Sequence, residues 1–574
     1  ADRRAGALRE PASSYPNQWQ VLLLLFACAL LYMAQSLQVW AWPALDGYPA
    51  IERWLDAGFL PNDFYTNTTV KFGVDTPQAL VIGTLSRWTG VHYTVLLAGL
   101  TALRHLLWPF VLCGFFRAWS GDRLVALLGV MLGTLGAFAL PKMLGWSWLW
   151  GDASTAMFAV LAATYAWTCF LERRAAATLW LMTLACLLQP LVSVHAGLML
   201  AAIFVFDYTA AERRAVFRQP ATLLAGLVFA VAFGAQYLML TPHGLRLPTP
   251  EYVNILVQER HPGDFLVGRF GRSGVLGVGV GTLAVLVMAA RIRSQLPRPA
   301  LLLAVLAVYA AICVAGFVFV ELWPVRLVVD LIPFRTVIIV APLLLLVIAV
   351  NAADHWRHGH WLALALLALA FVAAGPLAAH AGAGSIKPAL LLLLAGVAGW
   401  LPWHGRPLPG WLWPVLAVVL VALALPNARV RRDELVLPTA ANGHQVYQWA
   451  RDNTAPDARF LVEQFPTGIA YGRVLTPQRM RLIGRRSVVA SLDYPFAETD
   501  LRPWYRTWVI GLGHGERGFV EKADLAKLQR ICAQLPFDYV VRAKPLAGAT
   551  PVAQFAPQQG VGSIFVYRPC AAPR

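Results

Sequence analysis

The sequence predicts a polytopic α-helical membrane protein of about thirteen transmembrane helices, followed by a C-terminal extracytoplasmic α/β domain. Three observations carry this. The 574 residues are 58% hydrophobic and only 13% charged, about half the charged share of a soluble domain, and mean hydropathy is +0.58. Apolar runs long enough to cross a bilayer recur over the first three quarters of the chain. That pattern stops near residue 427, where short strand and helix signals replace it.

The apolar runs fall at 18–40, 92–116, 124–140, 153–171, 175–190, 192–207, 220–240, 273–290, 299–320, 334–352, 360–379, 387–404 and 408–426. The basic N-terminal segment precedes a run that is too long for a signal-peptide core and has no clear cleavage site, so it reads as a retained first helix. Gln189-Pro190 separates the fifth run from the sixth, and the two are also readable as one broken helix.

Loop charge orients the spans. The formal net charge is +17, which raises nucleic acid as a partner, but many basic residues sit in short loops between apolar runs. These include Arg117 and Arg123, Arg173 and Arg174, Arg213, Arg214 and Arg218, Arg291, Arg293 and Arg298, Arg357 and Arg406. They mark the cytoplasmic side. Loop 41–76 sets Asp46, Glu52, Asp56, Asp63 and Asp75 against Arg53 and Lys71, so it falls outside. Thirteen spans then make 1–426 a transmembrane domain and 427–574 an outer domain. The Ala-, Leu- and Arg-rich composition suggests a bacterial plasma membrane, with that domain in the periplasm.

Three outer segments are polar enough for chemistry: 41–91, 241–272 and 321–335. In the first, Trp40 and Trp42 mark the interface, and 48–59 has the apolar spacing of a short helix lying on a bilayer. Asp46 lies within six residues of a span end. It is a candidate base, or an acid that caps the next helix. Asp63, in Pro61-Asn-Asp-Phe-Tyr, is a candidate for catalysis or metal binding, or fixes that turn. Glu52 and Asp56 share a helix face, which a solvated surface explains. Asp75 and Asp152 read as helix caps. His195, inside an apolar run, is a core histidine or faces a cavity.

Cations fill the other two segments. Arg260, His261, Arg269 and Arg272 are either a solvated loop or phosphate ligands. Arg326 and Arg335 flank a short apolar piece before a span; they snorkel to headgroups or hold a phosphate. Five cysteines lie in apolar runs as packing residues. Cys532 and Cys570 border the strand signals 537–542 and 563–567. Antiparallel pairing of those strands would bring the sulfurs together, and an oxidising compartment would let them bond. The tail also shows strand signals at 459–463 and 487–491 and helices at 446–457, 497–511 and 519–533. There is no GxGxxG, P-loop, GxSxG, HExxH or zinc spacing, and no internal repeat.

A first helix, an outer loop with Asp46 near the exit, an amphipathic helix at 48–59, many spans and an outer α/β domain together resemble the GT-C superfamily of membrane glycosyltransferases. Many members carry paired acids after the first helix, whereas here Gly47 follows Asp46. Pro61-Asn-Asp-Phe, Arg260-His-Pro and Arg485-Arg-Ser also resemble a related bacterial multi-span family. The resemblance implies transfer of a sugar from a polyprenyl-phosphate-linked donor to an envelope glycan or lipid acceptor outside the membrane, by inverting displacement. One of Asp46 and Asp63 would take the acceptor proton while Arg260, His261, Arg269, Arg272, Arg326 or Arg335 hold the leaving phosphate. The partners are then membrane lipid, donor and acceptor, with no nucleic acid and no cofactor beyond an optional divalent cation. Two other classes compete. A flippase for lipid-linked glycans would show charges in several spans and an internal repeat, and a non-catalytic envelope-assembly protein would keep the architecture alone.

Overall fold

The computed structural model describes residues 16–37, 47–72, 76–135, 155–240, 246–260, 262–267, 271–296, 298–373, 386–401, 411–422, 442–463, 475–493, 498–557 and 562–570. Among these, four helices are long and apolar enough to cross a membrane: Tyr93–Ser120, Pro220–Leu238, Pro299–Leu322 and Arg326–His358. Nine shorter apolar helices, from Gln18–Ala34 to Leu412–Ala422, accompany them. Every apolar run of the sequence holds one of these helices.

The fifth and sixth runs are two helices. Gln189 is extended between Ala175–Leu188 and Pro190–Phe206, because the proline ring disfavours helix at the residue before it. Ser193 Oγ donates to the Met182 carbonyl at 3.5 Å. In one continuous helix those residues would be about 16 Å apart, so the chain folds back here.

Helix Val337–His358 is the axis of the bundle. Its sequence is apolar on every side, the pattern of a fully enclosed helix, and it packs against Arg123–Leu135, Trp361–Ala373 and Gly271–Arg291. Gln18–Ser36 packs on Tyr93–Ser120, which meets Thr155–Leu171. The first helix starts with a capping box: Asn17 Oδ1 accepts from Gln20 N and Gln20 Oε1 from Asn17 N, each at 2.9 Å.

The C-terminal region is a five-stranded sheet with helices. Strands β1 (Arg459–Val462), β2 (Ser487–Val488), β3 (Tyr539–Arg542), β4 (Ala553–Phe555) and β5 (Ile564–Tyr567) lie in the order β2-β1-β3-β5-β4. The β1 pairings with β2 and β3 are parallel, and β5 runs antiparallel to β3 and β4. The parallel strands are joined through helices such as Leu501–Leu512 and Leu525–Gln534, as parallel pairing requires. Val540 sits opposite Tyr567. That register brings Cys532, at the end of the helix before β3, to Cys570 after β5. The two form a disulfide with a Cα–Cα distance of 6.2 Å.

The helices end in two unlike layers. At one end, short connections are tied to each other. Arg173 pairs with Asp207 at 2.7 Å and Glu212 at 2.9 Å, and Arg298 joins Asp207 at 3.2 Å. Arg357 pairs with Asp122 at 2.5 Å, and Arg291 bonds Asp354 at 2.6 Å and Asn351 at 2.9 Å. Of the residues expected in cytoplasmic loops, Arg173, Arg291, Arg298 and Arg357 are tied in this layer, and Arg406 lies outside the described residues. At the other end lie the three polar segments and the C-terminal region, which share a hydrophobic core. It joins Tyr65, Tyr252, Val257, Phe265 and Val329 to Phe460, Trp504 and Val541. This is called the loop end below.

Candidate functional site at the loop end

Each polar segment is bound to the C-terminal region. In the first, helix Tyr48–Leu55 ends at Asp56, shorter than the expected 48–59. Its Glu52 and Asp56 both turn to Arg485, at 3.7 and 3.1 Å, so the acids that read as a solvated face are an anchor. Burial pushes the Glu52 carboxyl above its ordinary pKa, against hydrogen bonding from Tyr93 and the charge of Arg485.

Asp63 is 1% exposed. Its Oδ2 accepts from Thr66 N at 2.8 Å, capping helix Phe64–Phe72, and its Oδ1 accepts from Val488 N on β2 at 3.1 Å. The fully buried Arg481 lies 3.9 Å from it and pairs with Asp493. Both Asp63 oxygens are thus engaged with protein groups, the turn-fixing arrangement. Next to it, Tyr65 and Thr507 share a 2.7 Å hydroxyl hydrogen bond.

The second and third segments follow the same plan. Arg502 clasps Glu251 through two hydrogen bonds of 2.6 and 2.7 Å, and His514 Nδ1 meets Glu259 at 2.9 Å. Arg260 is buried, its guanidinium carbon 5.8 Å from the centre of the Trp504 ring. Arg326 pairs with Glu498, which also takes the Leu247 N–H, and lies over Tyr252 at 4.4 Å. Arg326 and Arg260 therefore help seat the C-terminal region. Asp46, His261 and Arg269 lie outside the described residues, as does the side chain of Arg272.

Arg335 stands elsewhere. With Gln189 and His195 it lines a cavity whose other walls are Ala156, Met157, Val160, Leu191, Val192, Ile338 and Ile339. The free space is about 20 Å³, room for about one water molecule. His195 Nε2–H donates to the Leu331 carbonyl at 3.0 Å, which leaves Nδ1 as the ring's acceptor. The next residue, Ile332, has φ +44°, a backbone region that a β-branched side chain strongly disfavours. The strained turn aims the Leu331 carbonyl at His195 and starts the 3₁₀ turn Pro333–Thr336 that carries Arg335. A cation, an imidazole and an amide thus line one water-sized, otherwise apolar recess.

Sequence reasoning missed one feature. Arg104 and His105 lie inside helix Tyr93–Ser120, 2% and 0% exposed. The signal was present, two ionisable residues together within an apolar run, but hydropathy averaged over a span hides it. Among the described residues no group of three or more His, Cys, Asp or Glu side chains can hold a metal ion.

No protein-family profile matches the chain, and no curated protein matches it. Among solved structures it is similar to the oligosaccharyltransferase AglB of Archaeoglobus fulgidus in complex with an inhibitory peptide and a dolichol-phosphate. That match has 12% identity and a TM-score of 0.38, and covers 91% of this chain and 69% of that one. The same organism's oligosaccharyltransferase tethered to an acceptor peptide matches at 13% identity, TM-score 0.38 and the same coverage. Its complex with zinc and sulfate matches at 13%, TM-score 0.38, over 90% of this chain and 67% of that one. These neighbours are GT-C superfamily glycosyltransferases; at this TM-score the likeness assigns no residue a role.

Proposed function

We propose that this protein is a membrane glycosyltransferase that moves a sugar from a polyprenyl-phosphate-linked donor to an envelope glycan or lipid acceptor on the outer face of a bacterial plasma membrane. One observation supports the reading above the others. The three polar segments, the C-terminal region and the cavity bearing Arg335 and His195 all lie at one end of the helices, while the opposite end carries ion pairs between its connections. A site at one surface suits transfer between lipid-borne partners better than passage across the membrane.

In this reading Asp46 is the base that takes the acceptor proton, since Asp63 is engaged in holding its loop. Arg335 steadies the leaving phosphate through its guanidinium fork. His261, Arg269 and Arg272, in the same outer segment as Arg260, are further candidates for that phosphate. The test is sugar transfer by the purified chain in liposomes, offered polyprenyl-phosphate-linked sugars and envelope lipid extract. Asp46→Asn is expected to lower turnover on the order of 100-fold while donor binding persists, and Arg335→Gln to weaken donor binding. Unchanged transfer by Asp46→Asn in folded protein would overturn the assignment.

A further inference from the structure

Helix Ala210–Arg218, at the end opposite the loops, has no place in the reaction as described. Its neighbours in the chain are the apolar helices Pro190–Phe206 and Pro220–Leu240, so short connections keep it beside the bundle. Its start is fixed in three ways. Thr209 and Glu212 form a capping box. The Tyr208 hydroxyl donates to the Phe170 carbonyl at 2.6 Å. Arg173 lies over the Tyr208 ring at 4.1 Å and pairs with Glu212 at 2.9 Å.

The sequence divides this helix into two faces. At 100° per residue, Glu212 and Val216 lie about 40° apart. They hold the helix to the protein, Glu212 through Arg173 and Val216 against the apolar core of the bundle. Arg213, Phe217, Arg214 and Arg218 follow one another around the other side, over an arc of about 140°. Arg213 is half-buried, and Arg214, Phe217 and Arg218 are exposed. Arg214 Nε donates to the Ala210 carbonyl at 3.3 Å. None of these three arginines has an acidic partner among the described residues. Arg173, Arg291, Arg298 and Arg357 at the same end each meet an aspartate.

Phe217 gives the depth. Its side is 64% exposed, yet the ring stands edge-on to Phe204, with centroids 5.9 Å apart. Phe204 is in the last turn of Pro190–Phe206, where Val205 and Phe206 are also exposed. Apolar side chains exposed at the end of a spanning helix mark the edge of the hydrocarbon. The helix therefore lies along the bilayer surface, with its arginines at the level of the headgroups. Arginines flanking an exposed aromatic ring on a short surface helix favour anionic lipid.

We propose that Arg213, Arg214 and Arg218, with Phe217 between them, form a binding face for anionic phospholipid headgroups. The guanidinium groups pair with phosphate oxygens, and Phe217 enters the upper part of the acyl chains. The ring's depth assigns the phosphate to a lipid of the bilayer and not to a soluble anion. The face lies away from the loop end, and lipid binding there does not depend on sugar transfer.

The experiment places a fluorescent label on Ala211→Cys, exposed beside Arg214 and Arg218, in the full chain. The unsubstituted chain, whose free cysteines are buried or half-buried, gives the background. The protein is held in vesicles of phosphatidylcholine with a minority of phosphatidylglycerol, and bromine, a quencher, is carried on one lipid or the other. Quenching per lipid molecule is expected to be at least about 5-fold stronger from phosphatidylglycerol, the factor that one arginine near an anionic surface supplies. Arg213→Gln, Arg214→Gln and Arg218→Gln together are expected to bring the two lipids level while quenching itself persists, because the flanking helices keep the label at the surface. Phe217→Ser is expected to weaken quenching by both lipids. Equal quenching by the two lipids before the arginines are replaced, or a preference that survives their replacement, would overturn the proposal. A preference abolished by inorganic phosphate at constant ionic strength would assign the face to a soluble anion and overturn the lipid assignment. Quenching by neither lipid would place the helix clear of the bilayer and overturn it equally.

Discussion

The two ends of the helical bundle hold their charges in opposite ways. At the end opposite the loops, arginines meet acids a few residues beyond the spans: Arg173 and Arg298 share Asp207, and Arg357 takes Asp122. Most of these pairs are half-exposed, where each is worth up to about 1 kcal/mol. They tie together helices that are far apart in sequence, Arg357 and Asp122 lying 235 residues from each other. At the loop end the pairs bind the polar segments to the C-terminal region, as from Glu251 to Arg502 or from Asp63 to Arg481, and several are buried. One end locks the helices together. The other seats a folded region, and at the same end a cation, an imidazole and an amide line a recess.

If the buried loop-end ties differ from the exposed ones as argued, the largest effect belongs to Arg481. Arg481→Leu leaves the buried Asp63 and Asp493 facing each other's charge, a loss of about 3–5 kcal/mol. Limited proteolysis should then cut the C-terminal region early, while Arg173→Ala at the opposite end should change the pattern little. Equal sensitivity of the two variants would break the comparison.

The disulfide comes next. It closes a loop between positions 38 residues apart, and its removal by paired Cys532→Ser and Cys570→Ser should cost about 3–4 kcal/mol. The loss belongs to the C-terminal sheet, so thermal unfolding of that region should shift while the helical bundle holds. A shift absent under oxidising conditions would show that the bridge contributes nothing.

The smallest effect sharpens the comparison through pH. Burial raises the folded-state pKa of Glu52 above 4.5, so in that window the folded chain holds a proton that the unfolded chain releases. The contribution is full below 4.5 and is lost as pH rises through the raised value. Glu52→Gln should remove this slope from the difference in stability between the two proteins. A difference that grows in the other sense would mean that Arg485 outweighs burial.

The apolar runs were legible because twenty-residue periodicity needs only local sequence, and so was the break at Gln189-Pro190, where one ring excludes helix. The Cys532–Cys570 pairing followed from two nearby strand signals. What could not be read was any partner far along the chain. Asp63 reads locally as a turn residue, and nothing near it announces Arg481 or the Val488 N–H. Arg326 looked like a phosphate ligand because Glu498 lies 172 residues away. The expected helix over 519–533 is broken at Ala523, where Asp524 caps a new start by accepting from Lys527 N at 2.7 Å. Strand β4 was missed because its three residues, Ala553, Gln554 and Phe555, carry little β-signal until β5 pairs with them.

The central claim is that the loop end is the working face and lies on the outer side of the plasma membrane. The most direct measurement introduces single cysteines at Glu516, on the C-terminal region, and at Arg214, on the exposed helix Ala210–Arg218 at the opposite end. Both are treated with a membrane-impermeant thiol reagent. The account predicts that Glu516→Cys reacts in intact cells and that Arg214→Cys reacts only after the membrane is opened. The reverse pattern, or reaction of both in intact cells, would contradict it.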